Sequence, residues 1–140
     1  MIGAAAGPAH SPVPASPLDD FLGTRVTHAE PDRVVVEVDV DERLHQPFGA
    51  VHGGVYALLA ETAASVGGAF RAPGPDGHAV GVSNHTDFLR PVAGGRLTAT
   101  GSPLQQGRTL QLWRVEITDG AGRLVAHSTV KLYNVAGRSG

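Results

Sequence analysis

The sequence predicts an α+β fold in which one long helix packs against an antiparallel β-sheet. Two observations predict this fold class: a single amphipathic helix follows a Gly/Pro-rich loop, and most segments after it alternate between apolar and polar residues. The 140 residues suffice for one domain with a buried core. With 41% hydrophobic and 17% charged residues, the composition is that of a folded globular chain.

The charge balance and the lack of Cys exclude several functions. The net charge is −2 and no basic cluster occurs, so the electrostatic footprint of a nucleic-acid-binding or membrane-binding protein is missing. The chain has no Cys, which excludes disulfides, thiolate metal sites and a Cys nucleophile. No apolar run approaches the ~18 residues that span a bilayer, and the N-terminus does not have the pattern of a signal peptide. We therefore expect a cytoplasmic protein.

The composition also predicts how the chain is organised. Residues 1–17 are rich in Ala and Pro and predict a flexible leader, residues 18–136 a single domain, and residues 137–140 a tail. A short helical turn is expected from Leu18 to Gly23 at the start of the domain. No repeat, linker or second domain is visible.

The first strand and the helix follow from their periodicity. Residues 33–42, RVVVEVDVDE, alternate and predict a half-buried strand. The helix is predicted from residue 54 to about residue 70, where RAPGPDG ends the pattern. Its expected core-facing residues recur at helical spacing: Val55, Leu58, Leu59, Thr62, Ala63 and Val66.

Everything after the helix predicts strands joined by short turns. The segments are AVGVSNHTDFLRP, RLTATGSPLQQG, RTLQLWRVEITD and RLVAHSTVKLYNV, and the last three predict an antiparallel meander. A single helix leaves part of such a sheet and its edge uncovered. We therefore expect a homo-oligomer, a dimer at least, because an exposed strand edge favours pairing.

The segment HQPFGAVHGGVYALLAE, residues 45–61, carries the candidate site. Gly53 and Gly54 lie at the predicted helix start, where backbone N–H groups are unsatisfied and the macrodipole is positive. Together with the amide of Gln46, they suit an oxyanion hole. Glu61 would lie roughly 11 Å from Gly54 along the helix axis. Donors for an oxyanion, with a carboxylate that attacks or activates water, indicate acyl-transfer hydrolysis.

Other interpretations of these residues remain open. The residues that share the helix face of Glu61 are all small, so that either a ligand or a partner helix could lie beside it. In the second case Glu61 would be a surface or paired carboxylate. These small residues are Gly54, Ala57, Ser65 and Gly68.

The histidines and serines of this region give no stronger alternative. His52 suits a structural hydrogen bond better than a base. The seven-residue spacing of His45 and His52 across a Pro/Gly loop is not that of metal ligands, so no metal site is expected. No GxSxG motif occurs, which argues against a Ser nucleophile.

The segment HQPFGAVHGGVYALLAE resembles the active-site segment of hotdog-fold acyl-CoA thioesterases. It is most similar to the branch with the phenylacetate-pathway thioesterases, the 1,4-dihydroxy-2-naphthoyl-CoA hydrolases and the Arthrobacter-type 4-hydroxybenzoyl-CoA thioesterase. NHTDFLRP, GRTLQLWRVEITDGAGRL and the final strand also resemble that branch, so the resemblance spans about residues 18–135. It implies a hotdog fold and hydrolysis of an acyl-CoA to free acid and CoA without a cofactor. An aromatic acyl group is expected, such as hydroxybenzoyl, dihydroxynaphthoyl or phenylacetyl.

The resemblance also implies the roles of individual residues. Glu61 would attack the thioester carbonyl or activate water, while Gln46 and the Gly53 N–H polarise that carbonyl. Ser65 would help to position water, and His52 would support the loop. The site would lie at a subunit interface of a dimer or a dimer of dimers, a homotetramer. The candidates for contacts with the CoA nucleotide are Arg90, Arg108, Thr109 and Arg138.

Three alternative functions differ from this one in functional class or in substrate range. A non-catalytic acyl-CoA-binding module would not need Glu61, so its presence together with Gln46 and Gly53 favours the enzyme. A hotdog dehydratase or hydratase would pair a His with the acid on the helix, whereas His52 lies on the loop. A broad-range housekeeping thioesterase would share the site but not the aromatic preference.

Overall fold

A six-stranded antiparallel sheet and one long helix form the domain in the computed structural model, which describes residues 11–137. The elements, in chain order, are α1 (Pro17–Leu22), β1 (Arg25–Glu30), β2 (Arg33–Asp39), a 3₁₀ turn (Glu42–Leu44), α2 (Gly53–Ala69), β3 (His78–Phe88), β4 (Arg96–Gln106), β5 (Leu110–Thr118) and β6 (Leu124–Val135). The predicted α+β class is confirmed. Arg138 lies outside the described residues.

The strand order in the sheet is β1-β2-β4-β5-β6-β3. Strands β4, β5 and β6 form the predicted meander. Strand β3 does not join β4 but pairs with the far side of β6, with Phe88 opposite Ala126 and Ala79 opposite Asn134. Consequently β3 is an edge strand of the sheet.

Helix α2 lies against the sheet and contacts every strand. Its buried side includes Val55, Leu59, Ala63 and Val66. Leu58 and Thr62 were also expected to face the core but are only partly buried, because the sheet covers the opposite side of the helix.

One helix glycine reflects the close approach of helix and sheet. A Cβ at Gly67 would overlap the ring of Trp113, which is fully buried. Glycine in a helix interior costs ~1 kcal/mol relative to Ala. The large ring beneath this turn of α2 explains why that unfavourable residue is used here.

The predicted turn from Leu18 to Gly23 is helix α1. Ser16 caps its start, because its side chain accepts a hydrogen bond from the Asp19 N–H at 3.0 Å. Gly23 ends it in the left-handed region with φ 81°. Before the helix, Val13 packs against the hydrophobic core. Neither helix within residues 11–137 has the length and apolar character needed to cross a membrane.

The turn between β5 and β6 gives a testable pH dependence of stability. Asp119 accepts hydrogen bonds from the backbone N–H groups of Arg123 at 2.9 Å and Ala121 at 3.0 Å, and from the Arg123 guanidinium at 2.9 Å. These bonds, chiefly the Arg123 backbone N–H, lower the pKa of Asp119 below its usual value. Its ionised form therefore stabilises the fold above the unfolded-state pKa of about 3.9, and this stabilisation is lost as the pH falls toward the folded-state value.

We expect Asp119→Asn to lower the Tm by a few degrees at pH 7, with a difference from wild type that shrinks as the pH falls below about 4. Thermal melts followed by circular dichroism across this pH range measure it. Asp32→Asn, at an exposed turn residue, is the matched control. A Tm difference that does not vary with pH would contradict this account.

Candidate active site

The start of helix α2 offers one free backbone donor. His52 is the N-cap, and its Nδ1 accepts a hydrogen bond from the Gly54 N–H at 2.8 Å. This hydrogen bond is the structural role expected for His52, whose side chain is exposed. Within residues 11–137, the Gly53 N–H makes no hydrogen bond. Of the two glycine amides, Gly53 therefore retains a donor for a ligand.

Gln46 supplies a second donor at the same place. Its Oε1 accepts hydrogen bonds from the backbone N–H groups of Phe48 and Ala50 in the loop. With its oxygen held by the loop, the amide leaves Nε2 without a partner in the described part of the chain. Gln46, Gly53 and Arg90 line one cavity of about 330 Å³ between the loop, the start of α2 and the end of β3. The structure thus brings these three predicted residues together.

Two aromatic residues form the floor of this cavity. Tyr56 and Phe88 both line it, with ring centroids 5.9 Å apart. Tyr56 is 2% exposed, and its hydroxyl has no hydrogen-bond partner among the described residues. Burial raises the pKa of Tyr56, so its hydroxyl stays neutral at physiological pH. The cavity next to the amide donors therefore has a largely apolar lining, to which Arg90 adds a positive charge.

Glu61 lies on the side of α2 that faces the edge strand β3. Its Oε1 accepts a hydrogen bond from Asn84 Nδ2 at 3.1 Å, and the same nitrogen donates to the Ala57 carbonyl at 3.0 Å. Its Oε2 lies over Gly81, where a Cβ would overlap the carboxylate. Glu61 is partly buried, so it is neither a free surface acid nor sealed in the core.

One chain does not bring Glu61 to the Gln46–Gly53 cavity. The acid is absent from the residues that line that cavity. Glu61 follows Gly53 by eight positions in the helix, roughly 12 Å of axial rise. A thioester carbonyl must lie about 3 Å from both its donors and the attacking group. Within one chain, Glu61 and the donors of Gln46 and Gly53 therefore do not meet at one thioester carbonyl.

Ser65 lies one helical turn after Glu61 and borders a different cavity. This cavity has a volume of about 440 Å³ and is lined by residues from 11–16, α1, the start of β1 and α2. Its lining includes the apolar Val13 and Val66 and the polar Asp19 and Thr62. No local sequence pattern indicates this space, because it depends on how the N-terminal segment packs over the helix.

The candidates for CoA contacts are not together in one chain. Arg90 follows the end of β3, whereas Arg108 and Thr109 lie in the exposed turn before β5. Asn134, paired with the start of β3, holds this turn by donating its backbone N–H to the Thr109 carbonyl at 2.7 Å and its Nδ2 to the Arg108 carbonyl at 3.0 Å. Strand β3 has 11 residues, which corresponds to roughly 35 Å. Arg90 and the Arg108–Thr109 turn therefore lie at opposite ends of the sheet.

Two residues at the site were missed from the sequence. Asn84 binds Glu61, and Gly81 makes room for its carboxylate. The signal for Gly81 was available, because glycine inside a strand often marks the close approach of another group. Within residues 11–137, no group of three or more His, Asp or Glu side chains is arranged to hold a metal ion.

The six-stranded antiparallel sheet with one long helix is the fold of hotdog thioesterases. Residues 48–126 match the thioesterase superfamily. The chain belongs to this superfamily and is a thioesterase.

Individual relatives agree with this assignment. A Mycobacterium tuberculosis protein named as a candidate esterase is 42% identical over 91% of this chain and 95% of its own length. The 1,4-dihydroxy-2-naphthoyl-CoA hydrolase of Listeria monocytogenes is 36% identical over 79% of this chain and 89% of its own. The crystal structure of a Haemophilus influenzae thioesterase superposes with a TM-score of 0.80 at 32% identity, covering 85% of this chain and 82% of that one.

The position of Gly81 against Glu61 gives a direct prediction. Gly81→Ala places a methyl group where the carboxylate lies, and the flexible Glu61 side chain must move. We expect hydrolysis to fall about 10- to 100-fold, since small misplacements of reacting groups have effects of this size. Thiol release from an acyl-CoA and the Tm are measured together. Gly94→Ala is the control, because a Cβ at that glycine would have nothing within 4 Å. Wild-type activity in Gly81→Ala would show that the carboxylate position is not critical.

Proposed function

We propose that the protein hydrolyses aromatic acyl-CoA thioesters at a site shared by two copies of the chain. One observation carries the proposal. The free donors of Gln46 and Gly53 line one cavity, whereas Glu61 lies farther along the same helix, beside the edge strand β3. A second copy supplies the missing half of each site.

The edge strand favours such a pairing. On the side away from β6, β3 has no neighbouring strand in the described chain, and it carries the exposed apolar residues Val80, Val82 and Phe88. A two-fold axis that joins two β3 edges makes the strands antiparallel and continues the sheet. The two α2 helices then run antiparallel, so the start of one lies beside the middle of the other. This proposal requires only a dimer. The homotetramer stays a prediction.

The same symmetry unites the two groups of residues that would bind CoA. Antiparallel β3 strands set Arg90 of one copy near the Arg108–Thr109 turn of the second copy. Arginine side chains match the oxygens of phosphate groups. The nucleotide end of CoA would therefore lie at the same interface as the thioester.

The chemistry follows from these positions. The thioester oxygen accepts hydrogen bonds from the Gly53 N–H and Gln46 Nε2, which stabilise its developing negative charge. Glu61 of the second copy then acts in one of two ways. It attacks the carbonyl carbon, so that a C–O bond forms, the C–S bond breaks and water hydrolyses the resulting anhydride. Alternatively, it takes a proton from a water molecule that attacks the carbon, with Ser65 holding this water. In both routes CoA leaves as a thiolate and gains a proton, and no cofactor is required.

The cavity beside Ser65 supports an aromatic acyl group. It begins one turn beyond Glu61, has apolar walls from Val13 and Val66, and has polar groups from Asp19 and Thr62 that suit a ring hydroxyl. The dihydroxynaphthoyl-CoA hydrolase of Listeria, named for such a substrate, supports the same class. The cytoplasmic location stays a prediction.

The proposal is tested with a panel of acyl-CoA esters and a thiol-reactive dye. The panel holds benzoyl, hydroxybenzoyl, dihydroxynaphthoyl and phenylacetyl esters beside acetyl and decanoyl esters. We expect kcat/KM for the hydroxylated aromatic esters to exceed that for the aliphatic ones by about tenfold or more. Similar values across the panel would indicate a broad-range housekeeping thioesterase. Binding without thiol release would indicate an acyl-CoA-binding module.

A further inference from the structure

Glu61 is the end of a chain of hydrogen bonds that begins on strand β6. The Ser128 and Thr86 hydroxyl oxygens lie 2.7 Å apart. Thr86 Oγ1 donates to Asn84 Oδ1 at 2.8 Å, and Asn84 Nδ2 donates to Glu61 Oε1 at 3.1 Å and to the Ala57 carbonyl at 3.0 Å. These hydrogen bonds thus connect strands β6 and β3 to helix α2.

The direction of each hydrogen bond is determined by the groups present. A hydroxyl carries one hydrogen, and Thr86 gives its hydrogen to Asn84 Oδ1. Ser128, which is fully buried, therefore donates to Thr86. A flipped Asn84 amide would place its oxygen against two acceptors, the Ala57 carbonyl and the Glu61 carboxylate. The amide is consequently held with both Nδ2 hydrogens toward the helix.

We propose that Asn84, oriented by Thr86 and Ser128, positions the Glu61 carboxylate and leaves its Oε2 as the reacting oxygen. This inference rests on the proposed role of Glu61. Asn84 occupies Oε1, so this oxygen is less available for attack or proton transfer. Oε2 makes no hydrogen bond to the residues that the structure describes, and it lies against Gly81 at the place that a Cβ would occupy. Holding one oxygen also restricts the rotation of a long side chain that would otherwise move freely.

Asn84→Ala tests the role of the amide. We expect kcat to fall about 10- to 100-fold, while KM stays within about twofold, because Asn84 touches the acid and not the substrate. Asn84 lies on an exposed edge strand, and the Tm and the mass in solution show whether fold and assembly persist. An unchanged kcat would overturn the inference. A fall in kcat that a lower Tm or the loss of the oligomer fully accounts for would overturn it as well.

Thr86 allows a test at a residue that does not contact Glu61. Thr86→Val keeps the shape of the side chain but removes the hydroxyl, so the Asn84 amide loses the hydrogen bond at Oδ1 that helps to fix its position, and we expect kcat to fall by about 3- to 10-fold. Thr86→Ser keeps the hydroxyl and should retain nearly full activity. Loss of activity in Thr86→Ser equal to that in Thr86→Val would show that packing, not the hydrogen bond, matters.

The double variant separates this inference from a general structural effect. If Thr86 acts only through Asn84, the kcat of Asn84→Ala/Thr86→Val equals that of Asn84→Ala alone. Losses that multiply would overturn the inference. Glu61→Ala is measured beside these variants. If it is inactive and Asn84→Ala is fully active, only the role of Asn84 fails, whereas full activity in Glu61→Ala removes the proposed function itself.

Discussion

Glu61→Gln is expected to reduce thioester hydrolysis by roughly 10³-fold or more while the protein stays folded. The Gln side chain has the same shape, and its oxygen still accepts the hydrogen bond from Asn84. Its amide, however, neither attacks a carbonyl carbon nor takes a proton from water. The loss should therefore fall on kcat, with little change in the affinity for the ester.

The control for this variant is Glu116→Gln, at an exposed acid on β5. Both variants are compared with wild type by thiol release, by Tm and by mass in solution. The control should match wild type in all three. Undiminished turnover in Glu61→Gln would remove the acid from the mechanism and leave the donors of Gln46 and Gly53 without a partner for hydrolysis.

The structure confirms the predicted helices and strands that have strong local sequence patterns. Helix α2 spans Gly53–Ala69, close to the predicted residues 54–70, because the Gly-Gly start and the apolar repeat both lie in the segment itself. The alternation of RVVVEVD likewise predicted β2, where Val34, Val36 and Val38 are fully buried. Strand β1 was missed, because RVTHAE lacks a clear apolar alternation and its pairing with β2 makes it a strand.

The site was predictable in the same local sense. Gln46, His52 and Gly53 belong to one loop, and the structure keeps them together as the motif suggested. The contact of Asn84 with Glu61 links residues 23 positions apart. It also depends on the register of β3 on β6, which shifts between Gly81 and Ser83. No pattern within either segment specifies such a register.

Two inactive variants should restore activity when their chains exchange. Gln46→Ala lacks an oxyanion donor, a loss of ~10²–10³ in rate, and Glu61→Gln lacks the acid. In a mixed dimer, one site combines the intact Gln46 of the second variant with the intact Glu61 of the first. After full exchange of a 1:1 mixture, half of the dimers are mixed and each has one intact site, so about a quarter of wild-type activity is expected. Thiol release is measured before and after exchange, and differently tagged chains report the extent of mixing.

A second mixture provides the matched control, because both of its defects lie at the same half of the site. Glu61→Gln mixed with Gly81→Ala has no chain with an undisturbed carboxylate, so every site of a mixed dimer is impaired and exchange should restore nothing. If activity recovers in the first mixture but not in the second, the donors and the acid of each site come from different chains. If the first mixture also stays inactive after verified exchange, both groups act within one chain. The substrate carbonyl would then have to bridge roughly 12 Å of helix between Gly53 and Glu61, which a single thioester group cannot do without a large movement of the loop or the helix.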